Sequence, residues 1–156
     1  LSKRSNLAGL RSGFVAGDAK LLKSFLLYRT YHGSAMSFHH QQASIAAWRD
    51  ESHVIENRAL YRQKFESVLP ILRQQFDVAL PEGGFCLWLN VPGDDEQFAK
   101  GLYQEKNVIV LPGSYLAREV DGVNAGKNYV RIALVYDEAR CIEAARRIVD
   151  YLQVLR

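Results

Sequence analysis

The chain is predicted to fold as α+β, with a small, mainly antiparallel sheet and helices packed on one face. Three features point there. Strand-like and helix-like stretches are mixed without the regular alternation of a parallel sheet. Two strand candidates flank the turn Pro81-Glu82-Gly83-Gly84, as in a hairpin. The chain closes on an amphipathic helix that sets Ile142, Ala145, Ile148, Val149 and Leu152 on one face.

Each element has its own signal. Residues 10–17 read as a short strand leaving a turn rich in small residues. Asp18 reads as the N-cap of a helix with Leu21, Leu22, Phe25 and Leu26 on one face, stopped by Gly33. Residues 32–38 are small and polar, which predicts a loop. Ser37 caps a short helix to Trp48, and Asp50 and Glu51 open a longer one. Its stripe is Val54, Tyr61, Phe65, Val68 and Leu72, and Pro70 should kink or end it. Residues 76–80 alternate apolar and polar, and residues 85–89 form the second arm of the hairpin. Asp94 and Gln97 resemble a capping box for a helix carrying Phe98 and Leu102. Residues 107–111 read as a third strand, broken at Pro112-Gly113-Ser114, with a long polar loop to Lys127. Residues 128–135 read as a fourth strand, and Asp137 and Glu138 begin the last helix.

Composition narrows the function classes. A length of 156 residues, 48% of them hydrophobic, suits one compact domain with its own core. No stretch approaches the roughly 20 apolar residues that span a bilayer, so no membrane association is expected. A net charge of +3 is too small to argue for nucleic acid. Cys86 and Cys141 have no partner motif and read as two buried thiols in a reducing cytoplasm. Residues 122–127 resemble a phosphate loop but are one residue short, with Asn128 where Ser or Thr should stand. The neighbours His39 and His40 would diverge on a helix, and His32 and His53 lack ligands at metal spacing, so no metal is expected. Arg4, Arg146 and Arg147 read as solvated faces.

Four residues suggest chemistry. Lys3 follows Ser2 in a stretch broken by Asn6, Gly9 and Gly13, where backbone can approach a ligand. A lysine held there can lose its proton and attack a carbonyl. Arg11 can grip a phosphate with paired hydrogen bonds. An amine for an aldehyde and a guanidinium for a phosphate are what pyridoxal 5′-phosphate requires. Arg131 lies within an apolar strand, so it must reach solvent or an anion. On spacing alone, a solvated Lys3, a surface Arg11 and a strand-edge Arg131 facing water account for the same residues.

The stretch Ser2-Lys3-Arg4-Ser5-Asn6-Leu7-Ala8-Gly9-Leu10-Arg11-Ser12-Gly13 resembles the lysine signature of class I aminotransferases, fold type I pyridoxal-phosphate enzymes. Ser12 departs from it, replacing the usual apolar residue. The small residue expected three before Lys3 lies outside the sequence. Together with residues 28–37 and 129–135, the wording is similar to the bacterial succinyldiaminopimelate aminotransferases of lysine biosynthesis.

The resemblance implies Lys3 as the amine that bonds the cofactor and carries the proton between the substrate Cα and cofactor C4′. It implies Arg11, helped by Ser2, on the cofactor phosphate, and Arg131 on the substrate α-carboxylate. It divides the chain into a remnant of a large domain at 1–17, a linking helix and loop at 18–36 and a small C-terminal domain at 37–156. The loop at 32–38 would reach a partner subunit's active site in a homodimer. The substrates implied are glutamate with 2-oxoglutarate and an N-succinylated 2-amino-6-oxo diacid. Family members are more than twice this length. The chain is therefore expected to be a C-terminal piece, inactive by itself, with the groups that hold the cofactor ring lying upstream. Another amino acid as substrate, a lyase or synthase on the same scaffold, and a non-catalytic module for dimerisation or sensing are the competing expectations.

Overall fold

The computed structural model describes residues 1–33 and 35–155; Ser34, within the loop expected over 32–38, and Arg156 lie outside the described residues. The chain divides inside a long helix, α3 (Ser52–Leu72), into two compact units, Leu1–Arg58 and Ala59–Arg156.

In the first unit, Leu1 O accepts from Ser5 N and Leu7 N, and a 3-10 turn at Ala8–Leu10 ends in Arg11 with φ 52. The strand expected over 10–17 is absent: the segment carries no ladder, and Phe14 and Val15 are exposed. An isolated extended segment has no partner for its amides, so apolar residues alone do not make it a strand. Helix α1 (Ala19–Tyr31) starts where Asp18 Oδ1 accepts from Lys20 N at 2.8 Å and Leu21 N at 3.1 Å. Its expected face is present, but Leu21, Phe25 and Leu26 are exposed. Helix α2 (Phe38–Arg49) is capped by Ser37. Asp50 closes α2 through its own N–H to Ala46 O and opens α3 by accepting from Ser52 N at 2.9 Å.

In the second unit, α3 carries the expected stripe inward at Phe65, Val68 and Leu72, and stops two residues after Pro70. Strand β1 (Cys86–Asn90) pairs antiparallel with β5 (Tyr129–Ala133), which also pairs with β2 (Leu111–Pro112), giving the order β1-β5-β2. Residues directly opposite share a face. Leu89 opposite Val130 and Leu87 opposite Ile132 turn to the core with Phe98 and Leu102 of α4 (Asp95–Lys106) and Ala145, Ile148 and Leu152 of α5 (Glu138–Val154).

Three expectations are corrected here. Residues 76–80 alternate in burial, with Phe76 and Val78 inside, yet form no strand and hence no hairpin with β1. Arg73 Nε instead holds Val78 O at 3.0 Å. The third strand shrinks to Leu111–Pro112, because Asn107 is spent closing α4 in the left-handed region, φ 54. Pro112, which has no N–H, sits at the sheet edge that tolerates it. The long polar loop also contains a hairpin, β3 (Glu119–Val120) with β4 (Val123–Asn124). Its turn is Asp121-Gly122 at φ 51 and 78, the pair that a tight hairpin favours.

Two close approaches tie this unit together. Gly113 and Gly126 meet so tightly that a Cβ on Gly113 would fall 2.3 Å from Gly126 O. Asp95 is 1% exposed, and its carboxylate accepts from Ser114 N at 2.9 Å and Asn128 N at 3.2 Å. Burial pushes this carboxyl up, but hydrogen bonds from Ser114 and Asn128 outweigh it and hold the group below its ordinary 3.8.

Candidate functional site

Three of the four expected residues lie at the neck of one closed loop. Leu1 N donates to Ser12 O at 2.8 Å, which draws together two ends eleven residues apart. Ser2 and Lys3 follow one side of that bond and Arg11 precedes the other. The turns between them depend on two non-glycine residues at positive φ, Asn6 at 54 and Arg11 at 52. Asn6 accepts this conformation readily; for arginine it is uncommon and needs support. That support comes from Arg11 Nη1, which donates to Ala8 O at 3.1 Å. Lys3 and Arg11 are exposed and Ser2 is half-buried.

The loop is fastened to α2 at both ends. Ser12 is buried, and Ser44 Oγ lies 2.7 Å from Ser12 Oγ while also donating to His40 O at 2.6 Å. This is the physical use of the departure from an apolar residue at position 12. Arg4 is the second fastening, and here the expectation of a solvated face is corrected. Its side chain is 16% exposed, donates to Ala47 O at 2.8 Å and Ser5 Oγ at 3.1 Å, and pairs with Glu51. Its guanidinium carbon lies 4.7 Å from the Trp48 ring centre. Nearby, Asp50 takes hydrogen bonds from the Ser52 side chain, from His53 and from the Ser52 amide, which pull its carboxyl down to about 2. Neither Arg4 nor Ser12 was marked as an anchor by the sequence. The only cue was a polar Ser12 where an apolar residue is usual, since both partners lie more than thirty residues away.

Arg131 belongs to the second unit. Its register partners are Trp88 on β1 and Leu111 on β2, so it stands on the sheet face opposite the helical core. The central strand of three holds its backbone on both sides. Among the described residues no carboxylate pairs with it. Arg147, also expected to be solvated, donates to Lys106 O at 3.2 Å and pairs with Glu143.

The donor set at the loop neck suits a phosphorylated aldehyde: an amine for carbonyl carbon, and a guanidinium and a hydroxyl for phosphate oxygens. Among the described residues no group of three or more His, Cys, Asp or Glu is placed to hold a metal ion, and no helix is long and apolar enough to cross a membrane.

A family model described as aminotransferase class I and II matches residues 1–148. The L-glutamine–4-(methylsulfanyl)-2-oxobutanoate aminotransferase of Bacillus subtilis is 34% identical over 152 residues, covering 95% of this chain and 37% of that protein. An aminotransferase from Neisseria meningitidis superposes with TM-score 0.85 at 64% identity, covering 96% of this chain and 38% of that one. A probable N-succinyldiaminopimelate aminotransferase from Thermus thermophilus superposes with TM-score 0.82 at 28% identity, covering 97% and 40%. The chain spans well under half the length of these proteins.

Proposed function

Because the chain belongs to the class I and II aminotransferases, a family dependent on pyridoxal 5′-phosphate, we propose that it is part of an enzyme that moves an amino group between glutamate and a 2-oxo acid. The proposed acceptor is N-succinyl-2-amino-6-oxopimelate, in lysine biosynthesis. The observation that supports the reading is the loop whose ends meet where Leu1 N donates to Ser12 O, with Ser2 and Lys3 following one end in the chain and Arg11 preceding the other.

When bound, the cofactor supplies an electron sink for the substrate's Cα. Lys3 Nζ would be the amine that holds the cofactor's aldehyde carbon, and the same amine would serve as the base that moves the substrate's Cα proton. Arg11 holds the phosphate by paired N–H donors, with the Ser2 hydroxyl as a further donor. Arg131 grips the α-carboxylate, and its place on a central strand limits how that carboxylate can turn. The remaining cofactor contacts belong to sequence beyond this chain in the proposal, and the 156 residues alone are inactive. The whole enzyme is proposed to be a cytoplasmic homodimer.

The likeness to the Thermus protein supports the succinylated substrate. A second reading, with glutamine and 4-(methylsulfanyl)-2-oxobutanoate as the pair, is favoured by the Bacillus relative. The test uses the full-length protein supplied with cofactor. Wild type should show a visible band, and borohydride should fix the label on Lys3. Lys3→Ala should lose both the band and turnover. A colourless wild type, or a Lys3→Ala protein with full turnover, sinks the proposal. A panel of both donor and acceptor pairs then decides between the two substrate readings.

A further inference from the structure

We propose that helix α2 positions the two cationic groups of the loop, and that Arg4 is the positioning residue for Lys3. This inference rests on the functional reading above. Arg4 adjoins Lys3 in the chain, so whatever fixes Arg4 limits where the Lys3 backbone can go. Its planar fork satisfies Ala47 O, one of the last-turn carbonyls that a helix leaves without an internal partner. The same fork pairs with Glu51 just beyond the helix, and its face lies over Trp48 of the last turn. A cation at a helix C-terminus is also favoured by the helix dipole.

The second fastening follows the same logic. Ser12 adjoins Arg11 and is held to α2 through the Ser44 hydroxyl. Lys3 and Arg11 therefore each stand one residue from an anchor on the same rigid element. The amine proposed to handle carbon and the guanidinium proposed to handle phosphate are thereby kept in a common frame by their chain neighbours, Arg4 and Ser12, through contacts with α2. A lysine at position 4 could supply the charge but not the forked contact with both Ala47 O and Glu51.

The experiment uses the full-length holoenzyme and the variants Arg4→Met, Arg4→Lys and Ser44→Ala. Arg4→Met keeps an apolar stem against Trp48 and removes the fork. It should lower kcat about 10- to 100-fold, the scale of a misplaced reacting group, while KM for the amino donor stays within about twofold. The pH midpoint of the visible band should move with it, since that band reports the environment of the Lys3 linkage. Arg4→Lys should lie nearer to Arg4→Met than to wild type. An Arg4→Met enzyme with wild-type kcat and an unmoved pH midpoint overturns the proposal, as does a rise in KM alone. If Arg4→Met does not fold, Ser44→Ala decides: weaker cofactor affinity supports the common frame, and unchanged affinity refutes it. Lys3→Ala separates the two levels. If it keeps band and turnover, the functional reading fails; if it loses both while Arg4→Met is silent, only the positioning role fails.

Discussion

Replacing Asp95 by Ala should cost about 3–6 kcal/mol of stability. The figure follows from two charge-assisted hydrogen bonds, each contributing about 1.5–3 kcal/mol. Both are made by a carboxylate that is 1% exposed, to Ser114 N at 2.9 Å and Asn128 N at 3.2 Å. Alanine would strip the acceptor and leave two amides without a replacement. Against a typical total of about 5–15 kcal/mol, such a loss is severe. Urea unfolding at constant m-value measures it. The adjacent Asp94→Ala is the control. Asp94 accepts from Glu96 N and Gln97 N as an exposed N-cap, and its loss should cost about 1 kcal/mol. Asp95→Asn, which keeps the shape but turns one acceptor into a donor, should fall between them. The pH dependence has a definite sign. The folded-state pKa of Asp95 lies below the ordinary 3.8, so its contribution is fully present above that value. It fades as pH falls through the folded-state value, and the gap between wild type and Asp95→Ala should narrow in acid. A loss under about 1 kcal/mol, or one no larger than that of Asp94→Ala, refutes the idea of a buried clamp.

Gly113→Ala should destabilise by at least about 1–3 kcal/mol, because the added methyl meets the carbonyl of Gly126 at 2.3 Å and backbone cannot swing aside. Gly83→Ala, with nothing within 4 Å, should be near neutral in the same urea assay. The two thiols should separate in rate with a thiol-specific disulfide reagent. Cys141 is buried, and that burial pushes its thiol up, so it should react only as fast as the unit opens. Cys86, half-buried on β1, should react first; equal rates would contradict the assigned burial.

Helix boundaries were largely legible because they are local. Asp18, Ser37, Asp94 and Asp137 each cap the helix assigned to them, since a cap needs only a short side chain and amides two or three residues on. The amphipathic face of α5 could likewise be read from spacing, with Ala145, Ile148, Val149 and Leu152 all buried. Strands were less legible. Residues 76–80 alternate as a strand should and even bury Phe76 and Val78 accordingly, but no neighbour offers a ladder. Alternation reports which side chains go inside; pairing depends on a partner elsewhere in the chain. The Asp121-Gly122 hairpin shows the converse, a local signal hidden in a polar loop whose strands are only two residues each.

By itself, the order of residues determined the capped helices, the turn signals and the residue types that point to an aldehyde and a phosphate, because those properties reside in neighbours along the chain. Tertiary structure decided that Ser12 and Arg4 grip α2, that Asp95 is a buried clamp and that Arg131 stands on the sheet face opposite the helical core. A buried polar group is tolerated only where its partners arrive, and here those partners come from 19 to 43 residues away.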